Sequence, residues 1–154
     1  MVQLVDSAAW EAPIGRVFLA FGSIEHAVHL ALRDIPLSRV AKSASRMPLA
    51  ARIDLLLEIL EGHDGAPFDV LSKTLLRVKS LAKLRNIPAH NGLIFSFFES
   101  AAGEFGVEQF IASMHNPKHK ITLDELINLA KSARDLADAL HSELATIRKI
   151  NLSK

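Results

Sequence analysis

Three side chains near the middle of the chain have the chemistry that a phosphodiester requires. Arg85, Asn86 and His90 lie within six consecutive positions. A guanidinium is a permanent cation that pairs with phosphate oxygens, an amide donates and accepts hydrogen bonds, and an imidazole exchanges protons near neutral pH. Together these groups could hold a phosphodiester and move the protons that its cleavage needs.

The sequence before these residues predicts a helix that delivers them. Leu71, Val78 and Arg85 are spaced by sevens and therefore lie on one helix face. That face is otherwise apolar, so Arg85 needs a partner because an unpaired buried charge is costly. In an unbroken helix of about 3.6 residues per turn, Arg85 and His90 would be about 140° apart. Pro88 lacks a backbone N–H, and a kink or unwinding there would bring both side chains to one cleft.

The pattern Arg85-Asn86-(three residues)-His90 resembles the Arg-x(4–6)-His signature of the HEPN superfamily. Members of that family are small antiparallel helical bundles, usually dimeric, and many are metal-independent ribonucleases. The resemblance implies that His90 is the general acid/base when a ribose 2′-OH attacks the adjacent phosphate. It also implies that Arg85 holds the phosphate and stabilises its developing charge, and that Asn86 orients one of these groups. No metal or other cofactor is needed, and Pro88 departs from the family pattern.

A first long helix is predicted to begin near Pro13 and to end near Asp34. Its heptad-like apolar seam carries one charge, Glu25, for which Arg85 is the obvious partner. Glu25 is therefore a supporting residue, favoured as half of a structural ion pair, with a catalytic acid as the alternative. Glu25 and His29 are four residues apart, but further ligands are lacking nearby, so we predict no metal site.

Basic residues accumulate on the helix that leads into the motif. No acid occurs between Asp69 and Glu99, and such local positive charge attracts a phosphate backbone. The predicted nucleic-acid-binding residues are Lys73, Arg77, Lys79 and Lys83. An ordinary solvated helix face is the alternative, and the net charge of +1 argues against a general nucleic-acid coat protein.

The composition fits one domain spanning residues 1–154, with a substantial core. The apolar fraction of 49% predicts a homodimer, with the segment from Arg85 to His90 lining the interface cleft. We expect no membrane partner, because no apolar run approaches the ~18 residues of a membrane span. The first six residues do not resemble a signal peptide, so we expect a cytoplasmic protein. The absence of cysteine excludes disulfides and thiolate chemistry.

The remaining pattern predicts three more helices and a hairpin. The second and third helices begin near Pro48 and Asp69, and the last opens with the capping box Thr122–Glu125. Residues 93–112 contain two short apolar runs around a turn, which predict a β-hairpin, with helix as the alternative for the second run. We therefore expect a mainly all-α fold, an up-and-down four-helix HEPN-like bundle with a small β-hairpin inserted before the last helix.

Two further histidines follow the predicted hairpin. His115 and His119 share helical spacing, which would suit a pair of metal ligands. Pro117 lies between them and disfavours a helix. We expect both histidines in a loop.

The leading functional expectation is a HEPN-like, RNA-directed protein, and specifically a metal-independent endoribonuclease acting at a dimer cleft. A toxin–antitoxin or defence role, with a cognate antitoxin as partner, is among the roles that the resemblance allows. The main alternative is a non-catalytic helical dimerisation or interaction module in which Arg85 and Glu25 fix an interface. A nucleotide binder is a third interpretation, which no phosphate loop or dinucleotide motif supports.

Overall fold

The computed structural model describes residues 7–36 and 40–152, with side chains described through residue 150. The first six residues, in which we expect no signal peptide, lie outside this part. The described residues form five helices and three strands: α1 (Ala8–Asp34), α2 (Ala41–Ala44), α3 (Leu49–Leu60), α4 (Ala66–His90), β1 (Leu93–Glu99), β2 (Phe105–Ala112), β3 (Lys120–Ile121) and α5 (Leu123–Leu152). The mainly helical fold with a small antiparallel sheet agrees with the sequence analysis.

The core lies among α1, α3, α4 and α5. The α5 seam faces inward as its three-and-four spacing predicts, and its buried members are Leu126, Ala130, Ala133, Ala137, Leu140, Leu144 and Ile147. The alanines leave room for the neighbouring helices to approach closely. Before this seam, Glu125 and Thr122 form the predicted capping box, in which the Glu125 carboxylate accepts the Thr122 N–H at 2.8 Å and Thr122 Oγ1 accepts the Glu125 N–H at 3.3 Å.

The order of the helices differs from a simple up-and-down bundle. Ser23 on α1 meets His141 on α5, and Asp34 near the end of α1 meets Arg148 further along α5. Because both residue numbers increase from one contact to the next, α1 and α5 run parallel. The up-and-down arrangement, which would make the first and last helices antiparallel, is therefore wrong for this pair. α3 lies beside the middle of α1, where Arg52 contacts Glu25.

The predicted hairpin is present, and both apolar runs are strands. Its register runs from Leu93 opposite Ile111 to Glu99 opposite Phe105. The turn is closed by the Ser100 N–H, which donates to the Glu104 carbonyl at 2.8 Å, and Gly103 takes a φ of +78° that other residues rarely adopt. A third strand was not predicted: β3 pairs with the end of β2, opposite Ile111 and Ala112.

Two helix starts lie earlier than predicted. α1 begins at Ala8 rather than near Pro13, which lies inside the helix. Because proline has no N–H, the helix lacks the one backbone hydrogen bond that this position would donate to the Ala9 carbonyl. Trp10 in the added turn is buried and donates through Nε1 to Gln109 on β2 at 3.0 Å. α4 begins at Ala66, with Pro67 in its first turn. No described helix is long and apolar enough to cross a membrane.

Candidate functional site

α4 remains helical through Pro88 and ends at His90. The helix extends only two residues past the proline, so the lost hydrogen bond falls where the ladder is about to end in any case. Because the chain does not unwind, Arg85 and His90 stay about 140° apart around the axis. The expectation that Pro88 brings them to one cleft within the chain is therefore wrong.

Arg85 faces α1, where it takes part in an ion cluster. Its Nη2 donates to Glu25 Oε1 at 3.2 Å, and Arg52 on α3 donates through Nη2 to Glu25 Oε2 at 3.0 Å. The Arg85 guanidinium also lies over the Phe21 ring, 5.3 Å from its centroid. We call Glu25, Arg52, Arg85 and Phe21 the Glu25 cluster. One carboxylate thus ties α1 to both α3 and α4.

The contact between Glu25 and Arg85 is the predicted one, whereas Arg52 was missed. Arg52 lies one helical turn before Leu56, at the border of the buried stripe of α3, and this spacing could have identified it. Both arginine side chains are largely buried and the Glu25 side chain is 39% exposed. The cluster therefore fixes helix positions and leaves only 20% of the Arg85 side chain exposed.

His90 lies on another side of α4, in an open groove of about 280 Å³ between the end of the helix and the loop that joins β2 to β3. We call this the histidine groove. It is lined by Lys83, Asn86, Ile87, His90, Asn91, Ser113, Met114, His115 and His119. Among the described residues that line it, three carry imidazoles, one carries an ammonium and none carries a carboxylate. The groove thus offers proton-exchanging and cationic groups to an anion.

The helical wall of the groove has a signal in the sequence. Lys79, Lys83, Asn86 and His90 are spaced by four, three and four, which places them on one face of α4. Lys79 is paired with Asp54 on α3, so only the last three line the groove. Of the predicted nucleic-acid-binding residues, Lys83 alone reaches it. The other two, Lys73 and Arg77, are exposed earlier on α4.

The second wall is the loop from residue 113 to residue 119, which Asn91 attaches to α4. Asn91 Nδ2 donates to the Ile87 carbonyl at 2.8 Å, and its Oδ1 accepts the Met114 N–H at 3.0 Å. Within the loop, the Ser113 N–H donates to the His119 carbonyl and the His119 N–H donates to the Asn116 carbonyl, both at 2.9 Å. These bonds hold the loop beside the last turn of the helix.

His115 and His119 lie in a loop, as expected, but their position in one groove with His90 was not predicted. The β2–β3 pairing brings this loop back to the end of α4, and no local pattern encodes that return. No group of three or more His, Cys, Asp or Glu side chains in the described part of the chain could hold a metal ion. The three histidines are therefore grouped around an open groove without forming a ligand set.

Comparison of the chain with protein-family models, with curated proteins and with solved structures found no match. A functional assignment must therefore come from the residues of the groove and from the motif that leads into it.

Proposed function

We propose that this protein is a HEPN-like, RNA-directed protein that cleaves RNA in the histidine groove as a metal-independent endoribonuclease. The composition of the groove carries the proposal, since three imidazoles and the Lys83 ammonium surround one open depression. Phosphodiester cleavage needs groups that accept and donate protons, and an RNA backbone needs positive charge to approach a protein surface. Both requirements are supplied by side chains of one chain.

In this proposal His90 accepts the proton of the ribose 2′-OH as the oxygen attacks the adjacent phosphorus. Lys83 lies on the same face of α4 as His90, because a separation of seven residues makes about two turns. Its ammonium can pair with a phosphate oxygen. Asn86 lies on the same wall and can orient the phosphate or the imidazole by hydrogen bonding. Arg85 acts indirectly, since its contact with Glu25 fixes the helix that carries the other three.

The test is cleavage of single-stranded RNA by purified protein in EDTA. We expect fragments with 2′,3′-cyclic phosphate ends, and we expect DNA to survive because it has no 2′-OH. His90→Ala should lower the rate by about 10²–10⁴-fold, the usual contribution of one acid/base group, with little change in melting temperature because His90 is exposed. His26→Ala, at an exposed position on α1, is the matched control and should retain full activity. RNA degradation that is unchanged in His90→Ala would identify a contaminating nuclease.

A second candidate function is a dimerisation module, and the tip of the hairpin favours it. Phe97 is paired with Val107 and Glu99 with Phe105, which puts Phe97, Val107 and Phe105 on one face of the sheet. Phe97 is 70% exposed and Phe105 is 83% exposed. Grouped exposed apolar side chains on a small domain mark a protein contact, and in this proposal the contact is with a second copy of the chain.

Light scattering tests this second function. A dimer that becomes a monomer on substitution of Phe97 and Phe105 by Ser would support it. A monomer at every concentration would exclude it, together with the dimer cleft expected from the sequence.

A further inference from the structure

Cleavage of RNA by its own 2′-OH moves two protons. One leaves the attacking 2′-oxygen, and one must reach the 5′-oxygen of the departing nucleotide, because an alkoxide is a poor leaving group. If His90 takes the first proton, a second group is needed on the opposite side of the phosphorus. Arg85 cannot donate this proton from its place in the Glu25 cluster.

We propose that His119 is the general acid that protonates the leaving 5′-oxygen, so that one chain carries both proton-transfer groups. This inference rests on the proposed function of the groove. As the 2′-oxygen–phosphorus bond forms, its proton passes to neutral His90. As the bond from phosphorus to the 5′-oxygen breaks, the proton of the His119 imidazolium passes to that oxygen. The products are a 2′,3′-cyclic phosphate and a 5′-hydroxyl, and no metal or redox partner is required.

The position of His119 favours it over His115, the other loop histidine in the groove. Both peptide groups of His119 are held, since its N–H donates to Asn116 and its carbonyl accepts from Ser113. It directly precedes β3, whose Ile121 is buried in the core. His115 follows Met114, whose side chain is largely exposed although Asn91 accepts its N–H. A proton donor must be held close to its target through the reaction.

His119 and His90 line the groove from its two different walls. His90 is in the last turn of α4, and His119 is on the loop that Asn91 attaches to that turn. The titratable groups that line the groove together with His119 are Lys83 and His90 from the helix and His115 from its own loop. In the described lining no carboxylate neutralises them, so a bound phosphate would be the counter-charge of the whole group.

Leaving-group chemistry separates a general acid from a residue that only shapes the groove. The assay compares a dinucleotide, such as uridylyl-adenosine, with uridine 3′-(para-nitrophenyl phosphate), whose phenolate departs without a proton. We expect His119→Ala to lose about 10²–10⁴-fold on the dinucleotide and to act on the activated ester almost as the wild-type protein does. His90→Ala should lose activity on both substrates, because attack by the 2′-OH is common to them.

Each outcome decides between the claims. Equal loss of both activities in His119→Ala would overturn its role as the acid, and so would full dinucleotide activity in that variant, while the proposed ribonuclease would stand. The same leaving-group pattern in His115→Ala instead of His119→Ala would move the role to His115. Wild-type protein that cleaves neither substrate would overturn the proposed function itself. Melting curves for each variant identify any loss of folding.

Discussion

The last two turns of α4 present two faces that use charge in opposite ways. On the face toward α1, the Arg85 guanidinium meets a carboxylate that also binds Arg52, and an aromatic ring covers it. On the face toward the β2–β3 loop, Lys83 and His90 line an open groove whose described lining has no acid. Paired charge inside a bundle fixes geometry, whereas unpaired charge around an open groove is available to a ligand.

The two residues of the motif, Arg85 and His90, therefore lie on different faces of the helix. In sequence Arg85 and His90 belong to one pattern, and in a continuous helix they face different partners. The chemistry of the groove is completed by residues more than twenty positions later, His115 and His119. A motif read along the chain can therefore contain one structural residue and one groove residue.

The largest expected effect distinguishes the two faces directly. We expect Arg85→Lys to cleave RNA at close to the wild-type rate per folded molecule, because the ammonium keeps a donor for Glu25 and Arg85 does not line the groove. His90→Ala should lose about 10²–10⁴-fold. Cleavage assays with both variants, corrected for folded fraction, make the measurement. A loss of activity in Arg85→Lys as large as that in His90→Ala would place Arg85 at the phosphate and contradict its purely structural role.

The next effect concerns the stability of the Glu25 cluster. Glu25→Gln should lower the free energy of unfolding by about 1–3 kcal/mol, because two guanidinium groups lose their counter-charge. This is below the roughly 3–5 kcal/mol of a fully buried pair, since Glu25 is partly exposed to solvent. Denaturant unfolding of Glu25→Gln, Arg85→Met and the double variant would give the coupling energy. Additive losses would show that the contact contributes nothing to stability.

Much of the helical framework was predictable because its signals are local. The capping box of α5 uses residues three apart, and the buried seam repeats every three or four positions. The Glu25–Arg85 pair was predictable for a related reason, since each is the charged member of an otherwise apolar stripe and each needs an opposite charge. Local spacing and the cost of an unpaired charge were sufficient for these features.

The groove was not predictable in the same way. Pro88 is a strong helix-breaking signal, and its effect is weak here because α4 ends two residues later. β3 has only two residues, too few for a periodic pattern, yet its pairing with β2 returns the loop to the helix. A feature that depends on contacts between segments distant in sequence has no clear pattern in the local sequence.

A smaller effect tests how the groove is held together. Asn91→Ala removes the hydrogen bond from the Met114 N–H that attaches the loop and the one that holds the Asn91 side chain to the Ile87 carbonyl of α4. Each is worth about 0.5–1.5 kcal/mol net. Because Met114 is exposed and water can replace one bond, we expect a loss of about 1 kcal/mol in unfolding free energy. Cleavage should fall as well, since the loop that carries His119 is no longer attached to the helix that carries His90. Asn128→Ala, at an exposed position on α5, is the control, and equal activity of the two variants would exclude a role for Asn91.

The smallest expected effect is on the pH dependence of stability, to which the carboxylates of Asp34 and Glu143 contribute. Hydrogen bonding to Arg33, aided by Arg148, lowers the pKa of Asp34 below its ordinary value of 3.8. Burial raises the pKa of Glu143 above its ordinary value of 4.5, although Thr74 donates a hydrogen bond to it and Arg77 lies nearby. The two groups should therefore change stability in opposite directions with pH.

The direction of each change in stability depends on whether the folded or the unfolded state binds the proton more tightly. Asp34 stabilises the fold above its unfolded pKa, and this contribution is lost as pH falls through its lower folded pKa. Glu143 favours the fold when protonated, and this contribution is lost as pH rises through its higher folded pKa. We therefore expect Asp34→Asn to be destabilising at pH 7 and Glu143→Gln to be neutral or stabilising, with both differences shrinking in acid. Unfolding free energies of both variants across this pH range check the prediction. A destabilising Glu143→Gln at pH 7 would contradict it and would indicate that Arg77 stabilises the Glu143 carboxylate as Arg33 and Arg148 stabilise that of Asp34.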